Sequence, residues 1–257
     1  MSGKTPTTPE AIRAVTEARL TLGPRGGALA TRESLAFALD HARARAAVLA
    51  ELDLPALTAT LDRLGLPHRV ATSAAGDREG FIRRPDLGRR LPETEAAALA
   101  GAGPCDVALV LGDGLSATAV ALNGAAFVAA LAGRLEAAGL TVSPVILARQ
   151  ARVALGDGIA RALGAGTVVM ALGERPGLSA ADSLGAYITH APAAATPDSA
   201  RNCISNIRAG GTPVPEAAEQ AARLILAMRA SGLSGVALSR ALAAGALAGP
   251  TEPHGPR

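Results

Sequence analysis

Three short segments concentrate the residue types that can do chemistry. The first is Gly112-Asp113-Gly114-Leu115-Ser116, between an apolar run and a helical stretch. Turns of this kind place backbone amides at a helix N-terminus, outside the carboxyl end of a strand, where α/β sheets bind ligands. The sixth position of the run is Ala117, so the Gly-x-Gly-x-x-Gly dinucleotide fingerprint is incomplete, and no acidic residue closes a clear second strand. Asp113 and Ser116 could equally serve as helix caps. The second segment, Gly173-Glu174-Arg175-Pro176-Gly177, directly follows another apolar run. Two glycines and a proline fix a turn that presents a carboxylate and a guanidinium at a position favoured for ligands. A tight turn with a solvated ion pair is the plainer account. The third segment is Arg201-Asn202-Cys203-Ile204-Ser205-Asn206-Ile207-Arg208. It joins two guanidiniums, two carboxamides and a thiol, and neither helix nor strand periodicity explains it. Cys203 as a nucleophile would need a base, and His190 is the candidate in this region. A packed cysteine lining a pocket fits the residue equally well.

Other chemistries are poorly served. His41, His68, His190 and His254 show no metal-ligand spacing, and Cys105 and Cys203 make neither a disulfide framework nor a four-cysteine zinc site. No phosphate-binding Gly-x-x-x-x-Gly-Lys loop and no Gly-x-Ser-x-Gly elbow occurs. No metal ligand and no catalytic residue is assigned.

The elements that must position these segments follow from hydrophobic patterning. Asp106–Leu111, Val142–Leu147 and Thr167–Leu172 read as strands, the first and third as runs buried on both faces. Gly185–His190 is a further strand and His68–Thr72 an edge strand. Helices are predicted over Ser116 to Ala138, Leu155–Leu163, Pro215–Ser231 and Val236–Leu242, several closed by glycine. Upstream, Thr31 to Leu54 reads as a long helix with an apolar stripe of Leu35, Leu39, Ala42 and Ala46. Leu57–Leu64 and Glu93 to Leu99 read as shorter helices. Strand–helix alternation predicts an α/β fold, a Rossmann-like, mostly parallel sheet with helices on both faces, plus a helical N-terminal region. The expected division is 1–104 for the tail and helical region and 105–257 for the Rossmann-like domain.

At 257 residues the chain can bury a core without staples. Its apolar fraction of 49% rests on small aliphatics, because aromatics amount to only 2%; base-stacking nucleic-acid platforms are therefore poorly supported. No uninterrupted apolar run suggests a membrane span, and the N-terminus lacks a secretory pattern. The net charge of +3, carried mainly by arginine, suits phosphate groups but also simple compositional bias.

The motifs DHARAR (40–45), DGLSA (113–117), GERPGL (173–178), DSLGAY (182–187) and RNCISNIR (201–208), in this order, resemble the small (light) subunit of ethanolamine ammonia-lyase. TRESLAF (31–37) and Gly26-Gly27 fit as well, and the likeness spans Ala18 to Arg240. Ala46 departs from it, standing where an acidic residue is expected on a helix surface.

The resemblance implies an enzyme that uses adenosylcobalamin to convert ethanolamine to acetaldehyde and ammonia. It implies a large β/α-barrel subunit as hetero-oligomeric partner, holding the substrate and most catalytic groups. The small subunit covers the cobalamin with its Rossmann-like domain. By motif, Glu174 and Cys203 correspond to cobalamin-contacting positions, and Val153 in ARVAL (151–155) to a third. The chain has no Asp-x-His-x-x-Gly motif, so the nucleotide base is expected to stay on cobalt. The implied location is cytoplasmic, within a bacterial microcompartment. Two other readings remain: a nicotinamide- or flavin-dependent Rossmann oxidoreductase, and a non-catalytic shell-associated protein whose N-terminal stripe of Ile12, Val15 and Arg19 addresses a compartment.

Overall fold

The computed structural model describes residues 11–12, 31–101, 103–177 and 181–245. Six strands form one sheet: β1 (His68–Thr72), β2 (Val107–Gly112), β3 (Val145–Arg149), β4 (Thr167–Gly173), β5 (Leu184–His190) and β6 (Arg201–Ile207), in the order β1-β3-β2-β4-β5-β6. The first four are mutually parallel. The sheet is nevertheless mixed, because β5 runs antiparallel to β4 and β6 antiparallel to β5. Every residue of β2 and of β4 is buried, as their unbroken apolar runs require.

Eight helices accompany the sheet among the described residues: α1 (Thr31–Leu49), α2 (Leu54–Arg63), α3 (Arg78–Arg83), α4 (Glu93–Ala100), α5 (Ala117–Ala137), α6 (Leu155–Leu163), α7 (Val214–Ser231) and α8 (Gly235–Ala243). On one face α2, α5, α7 and α8 bury Leu61, Phe127, Leu131, Ile225 and Leu238 against Leu109, Val169, Ile188 and Ile204. On the other, α4 and α6 bury Leu99, Leu155 and Ile159 against Val110, Ile146 and Met170. Helix α6 packs over the parallel strands. The side chains of β5 and β6 on this face, Tyr187 and Cys203 among them, line a cleft instead.

Local signals explain the boundaries. Asp53 caps α2, Asp77 caps α3 and Ser116 caps α5 through side-chain oxygens that accept from backbone amides. Gly164 and Gly232 close α6 and α7 in the left-handed conformation. Helix α5 carries a π-helical turn at Val120–Gly124. It is the one described helix long and apolar enough by composition to cross a membrane, alone or unbroken, yet half of it is buried against the sheet and α7.

Two expectations need correction. The long helix ends at Leu49, and its apolar stripe does not face the core: Leu35 is 66% and Leu39 51% exposed, and Ala47 is its one buried residue. The segment Arg201–Ile207, to which no period was assigned, is strand β6. Its polar residues are paired across space, so alternation in the sequence is lost.

Candidate functional site

The Gly-Asp-Gly turn and the GERPG turn are two halves of one close approach. Gly114 sits at φ 54°, and a Cβ there would overlap the carbonyl oxygen of Gly173. A Cβ on Gly173 would overlap the carbonyl oxygen of Ser116 in return. Glycine is required at both positions, and Leu115 N donates to Gly173 O at 2.9 Å. The N-terminus of α5 is thus plugged by the end of β4, and Ser116 Oγ both accepts from Ala119 N and donates to Ala181 O.

Asp113 does not cap the helix. It is 1% exposed, and its two oxygens accept from Gln150 N and Ala151 N, both at 2.9 Å. Gln150 has a φ of 52°, a left-handed conformation uncommon for a non-glycine residue. Asp113 therefore fixes the turn between β3 and α6 on which Arg152 and Val153 stand. Arg78 lies 3.5 Å from the carboxylate, donating to Gly114 O and Val48 O. Burial pushes the Asp113 carboxyl above the usual carboxylate range despite these donors.

Glu174 is held by the loop before β5 and the end of β6, not by the adjacent Arg175, which is exposed. Its Oε2 accepts from Ser183 Oγ and from Asn206 N. Its Oε1 has no protein donor among the described residues. Gly185 leaves the room for it: a Cβ there would lie 2.7 Å from Oε1. Asn123 Nδ2, on the π-helical turn, donates to Asp182 O at 2.9 Å and so tethers the same loop.

Val153 and Cys203 meet in the cleft over β5 and β6. Its volume is about 660 Å³, and Asp86, Arg89, Arg152, Tyr187 and Arg201 complete most of its lining. Tyr187 and Cys203 are register partners across β5 and β6. Burial pushes the Tyr187 phenol up to about 12, with Cys203 and Glu174 adding to the shift. Partial burial, then the Glu174 charge, pushes the Cys203 thiol up as well. A raised thiol is a poor nucleophile, and His190 does not help it: Nδ1 of His190 bonds Thr167 Oγ1 at 2.9 Å. Cys203 is thus a lining residue, not an activated one. Glu174 is outside the lining but close enough to act on both Tyr187 and Cys203.

Of the three arginines of the cleft, Arg201 opens the third segment singled out from the sequence, and Arg89 and Arg152 were not singled out. Arg201 makes a two-pronged pair with Asp157 of α6, 2.7 Å at each prong, and also donates to Thr189 Oγ1 and Thr196 O. Arg152 stacks on the Phe81 ring, 4.3 Å from its centroid, with Arg78 at 4.8 Å from the same ring. Among the described residues, Arg89 touches only Asp198 among carboxylates, at 3.5 Å. Among the described residues no cluster of His, Cys, Asp or Glu is arranged to hold a metal ion. The compartment-addressing stripe at Val15 and Arg19, the Gly26-Gly27 pair and the last residues lie outside the described residues.

A family model described as ethanolamine ammonia-lyase light chain matches residues 7–239. The ethanolamine ammonia-lyase small subunit of Bradyrhizobium diazoefficiens is 49% identical over 230 residues, covering 88% of each chain. The small subunit from Rhodopseudomonas palustris is 48% identical over 229 residues, again 88% of each. That from Ralstonia nicotianae is 44% identical over 238 residues, 90% of this chain and 88% of its own.

Proposed function

Because the chain belongs to the ethanolamine ammonia-lyase light-chain family, we propose that it closes adenosylcobalamin against a larger barrel-shaped subunit, in an enzyme that converts ethanolamine to acetaldehyde and ammonia. As a member of that family it is a subunit of a carbon–nitrogen lyase. The observation that carries the proposal is the meeting of Val153 and Cys203, distant in sequence, in one cleft beside Glu174.

The residues present suit a corrinoid. Its rim of amide side chains needs acceptors, and Glu174 Oε1 is an anchored acceptor with no protein donor among the described residues. Its flat macrocycle needs a surface of small groups, and Val153 and Cys203 supply one. A cobalamin with its nucleotide loop is larger than a cleft of about 660 Å³, so this chain would embrace one side and a partner the other. When bound, the cofactor supplies an organic radical through homolysis of its cobalt–carbon bond. The chain's own part is to orient and to exclude water. Asp113 fixes the turn bearing Val153, Ser183 and Asn206 fix Glu174, and Tyr187 stays a neutral phenol beside Cys203.

The oxidoreductase alternative is disfavoured by the turn at the head of α5. A dinucleotide pyrophosphate needs open backbone amides there, and Gly173, Ser116 and Ala181 fill that position. Co-expression with a barrel-type large subunit tests the proposal: a red-brown complex that releases ammonia from ethanolamine is expected. A purified pair that binds no cobalamin overturns it, and saturable NAD(P)H binding by this chain alone would revive the alternative. Residues 1–20 are proposed as an address for a microcompartment. Deleting them should leave lyase activity intact and abolish co-localisation; unchanged localisation would refute the address.

A further inference from the structure

The charges of the cleft do not balance on one side. Of its three arginines, Arg201 is neutralised by Asp157 at 2.7 Å. Asp86, also in the lining, is engaged by Arg84 through both oxygens, at 3.0 and 2.8 Å. Asp198 is shared between Arg201 at 3.3 Å and Arg89 at 3.5 Å, and it is three-quarters exposed. Arg152 has no carboxylate partner among the described residues, and its Nε is buried with no acceptor.

Arg152 is also held in place without one. Its backbone N–H donates to Gly88 O at 2.9 Å, and its Cγ lies where a Cβ on Gly88 would come within 2.9 Å. Its guanidinium lies on the fully buried Phe81 ring, with Arg78 on the same ring. Burial first, and then the like charges of Arg78 and Arg89, disfavour its proton, with Asp113 acting against them. A guanidinium keeps its charge regardless and presents a planar fork that matches phosphate oxygens. A stacked, pre-oriented guanidinium that lines a cavity beside a second arginine, with no carboxylate of its own among the described residues, is an arrangement that recognises an oxyanion.

We propose that Arg152 and Arg89 form a phosphate subsite in the wall of the cleft, which takes the phosphodiester of the cobalamin nucleotide loop. The proposal rests on the corrinoid reading of the cleft and deepens it. It assigns the wall at Pro85 to Arg89 and Arg152 to the nucleotide side of the cofactor, and Val153 and Cys203 to its remainder.

The test uses the assembled two-subunit complex and two probes: cobalamin, and cobinamide, which keeps the macrocycle and its amides but lacks the phosphodiester and base. Binding is read by absorbance titration, with no turnover required. Arg152→Met should weaken cobalamin by about tenfold or more and leave cobinamide within about twofold. Arg89→Met, at a half-exposed side chain, should do the same to a smaller degree, and Arg152→Lys should recover part of the loss. Inorganic phosphate should compete with cobalamin for the wild-type complex and not for the Arg152→Met complex. Unchanged cobalamin affinity in both arginine variants overturns the subsite alone, and so does an equal loss for both probes, which would mean that Arg152 only shapes the wall. Phosphate that binds at Arg152 without displacing cobalamin assigns the site to the free anion and also overturns it. A wild-type complex that binds neither corrinoid overturns the parent reading instead.

Discussion

Asp157 of α6 and Arg201 of β6 face each other in a two-pronged ion pair with both side chains less than a tenth exposed. It is the polar strut between the helix that covers the parallel strands and the strand that floors the cleft. Arg201 also gathers Thr189, Thr196 and Asp198 around itself, and the Asp157 contact holds its guanidinium above even its ordinary range.

Removing one partner should strand a buried charge. Asp157→Leu or Arg201→Met is expected to cost about 3–5 kcal/mol in denaturant unfolding. The double variant should regain much of that loss, because it leaves neither charge behind. Single variants within about 1 kcal/mol of wild type would show that water reaches the pair.

Asp113 carries the turn that presents Arg152 and Val153. Asp113→Ala leaves two buried amides without an acceptor and should cost about 1–3 kcal/mol for each. Its carboxyl is held above the usual range by burial, so the unfolded chain gives up this proton at lower pH than the folded chain does. Between those two values the folded state binds more protons, and the stability due to Asp113 falls as pH rises. The stability of wild type minus that of Asp113→Asn should therefore decline from acid toward neutral pH. A difference that climbs with pH would contradict the assignment.

Tyr187 is the only tyrosine of a chain with no tryptophan, so its titration is directly visible by ultraviolet absorbance. With its phenol pushed up to about 12, a rapid jump to pH 11 should produce little tyrosinate before unfolding. The unfolded chain ionises near its ordinary value of about 10, so stability is lost as pH rises through that interval. Immediate tyrosinate absorbance at pH 10–11 would place the ring in water and not beside Cys203 and Glu174.

Glu174→Gln should weaken cobalamin binding by the assembled complex about tenfold to a hundredfold, the scale of 1–3 kcal/mol for a polar group deprived of its partner. Gly185→Ala should act through the same carboxylate, since its new methyl group would fall 2.7 Å from Oε1. Equilibrium dialysis checks both. Wild-type affinity in both variants would remove Glu174 from the cofactor's surroundings.

The parallel half of the fold was legible because VALVLG and, after its opening Thr167, TVVMALG are apolar runs, as expected of strands covered on both faces. Strand β6 was not, because its polar side chains find partners far along the chain. Asn202 is buried and brackets Gly235, accepting from its N–H at 2.5 Å and donating to its carbonyl, while Arg201 reaches Asp157. No local period records such pairings. Glu174 and Cys203 stood out through their motifs, and their proximity to each other needed the antiparallel β5–β6 register. Arg152 stood beside Val153 in ARVAL without being singled out: its significance comes from Phe81 and Gly88, which only the fold brings beneath it. For Asp113 a ligand role and a helix cap both stayed open, because a sequence does not reveal that its donors are Gln150 and Ala151.

The way the cleft is put together sets the order in which it is built. Its floor, β5 and β6, is a hairpin closed by local chain reversal. Its far wall, by contrast, joins Arg89 to Asp198 across a sequence separation of 109 residues. Contacts of that span are among the slowest to form, since loop closure must precede any reward from contact. The floor can form from neighbouring chain alone, whereas a cleft with both walls requires segments far apart in the sequence to have met. A ligand that needs both walls then reports on the finished fold, which a half-folded chain cannot offer it.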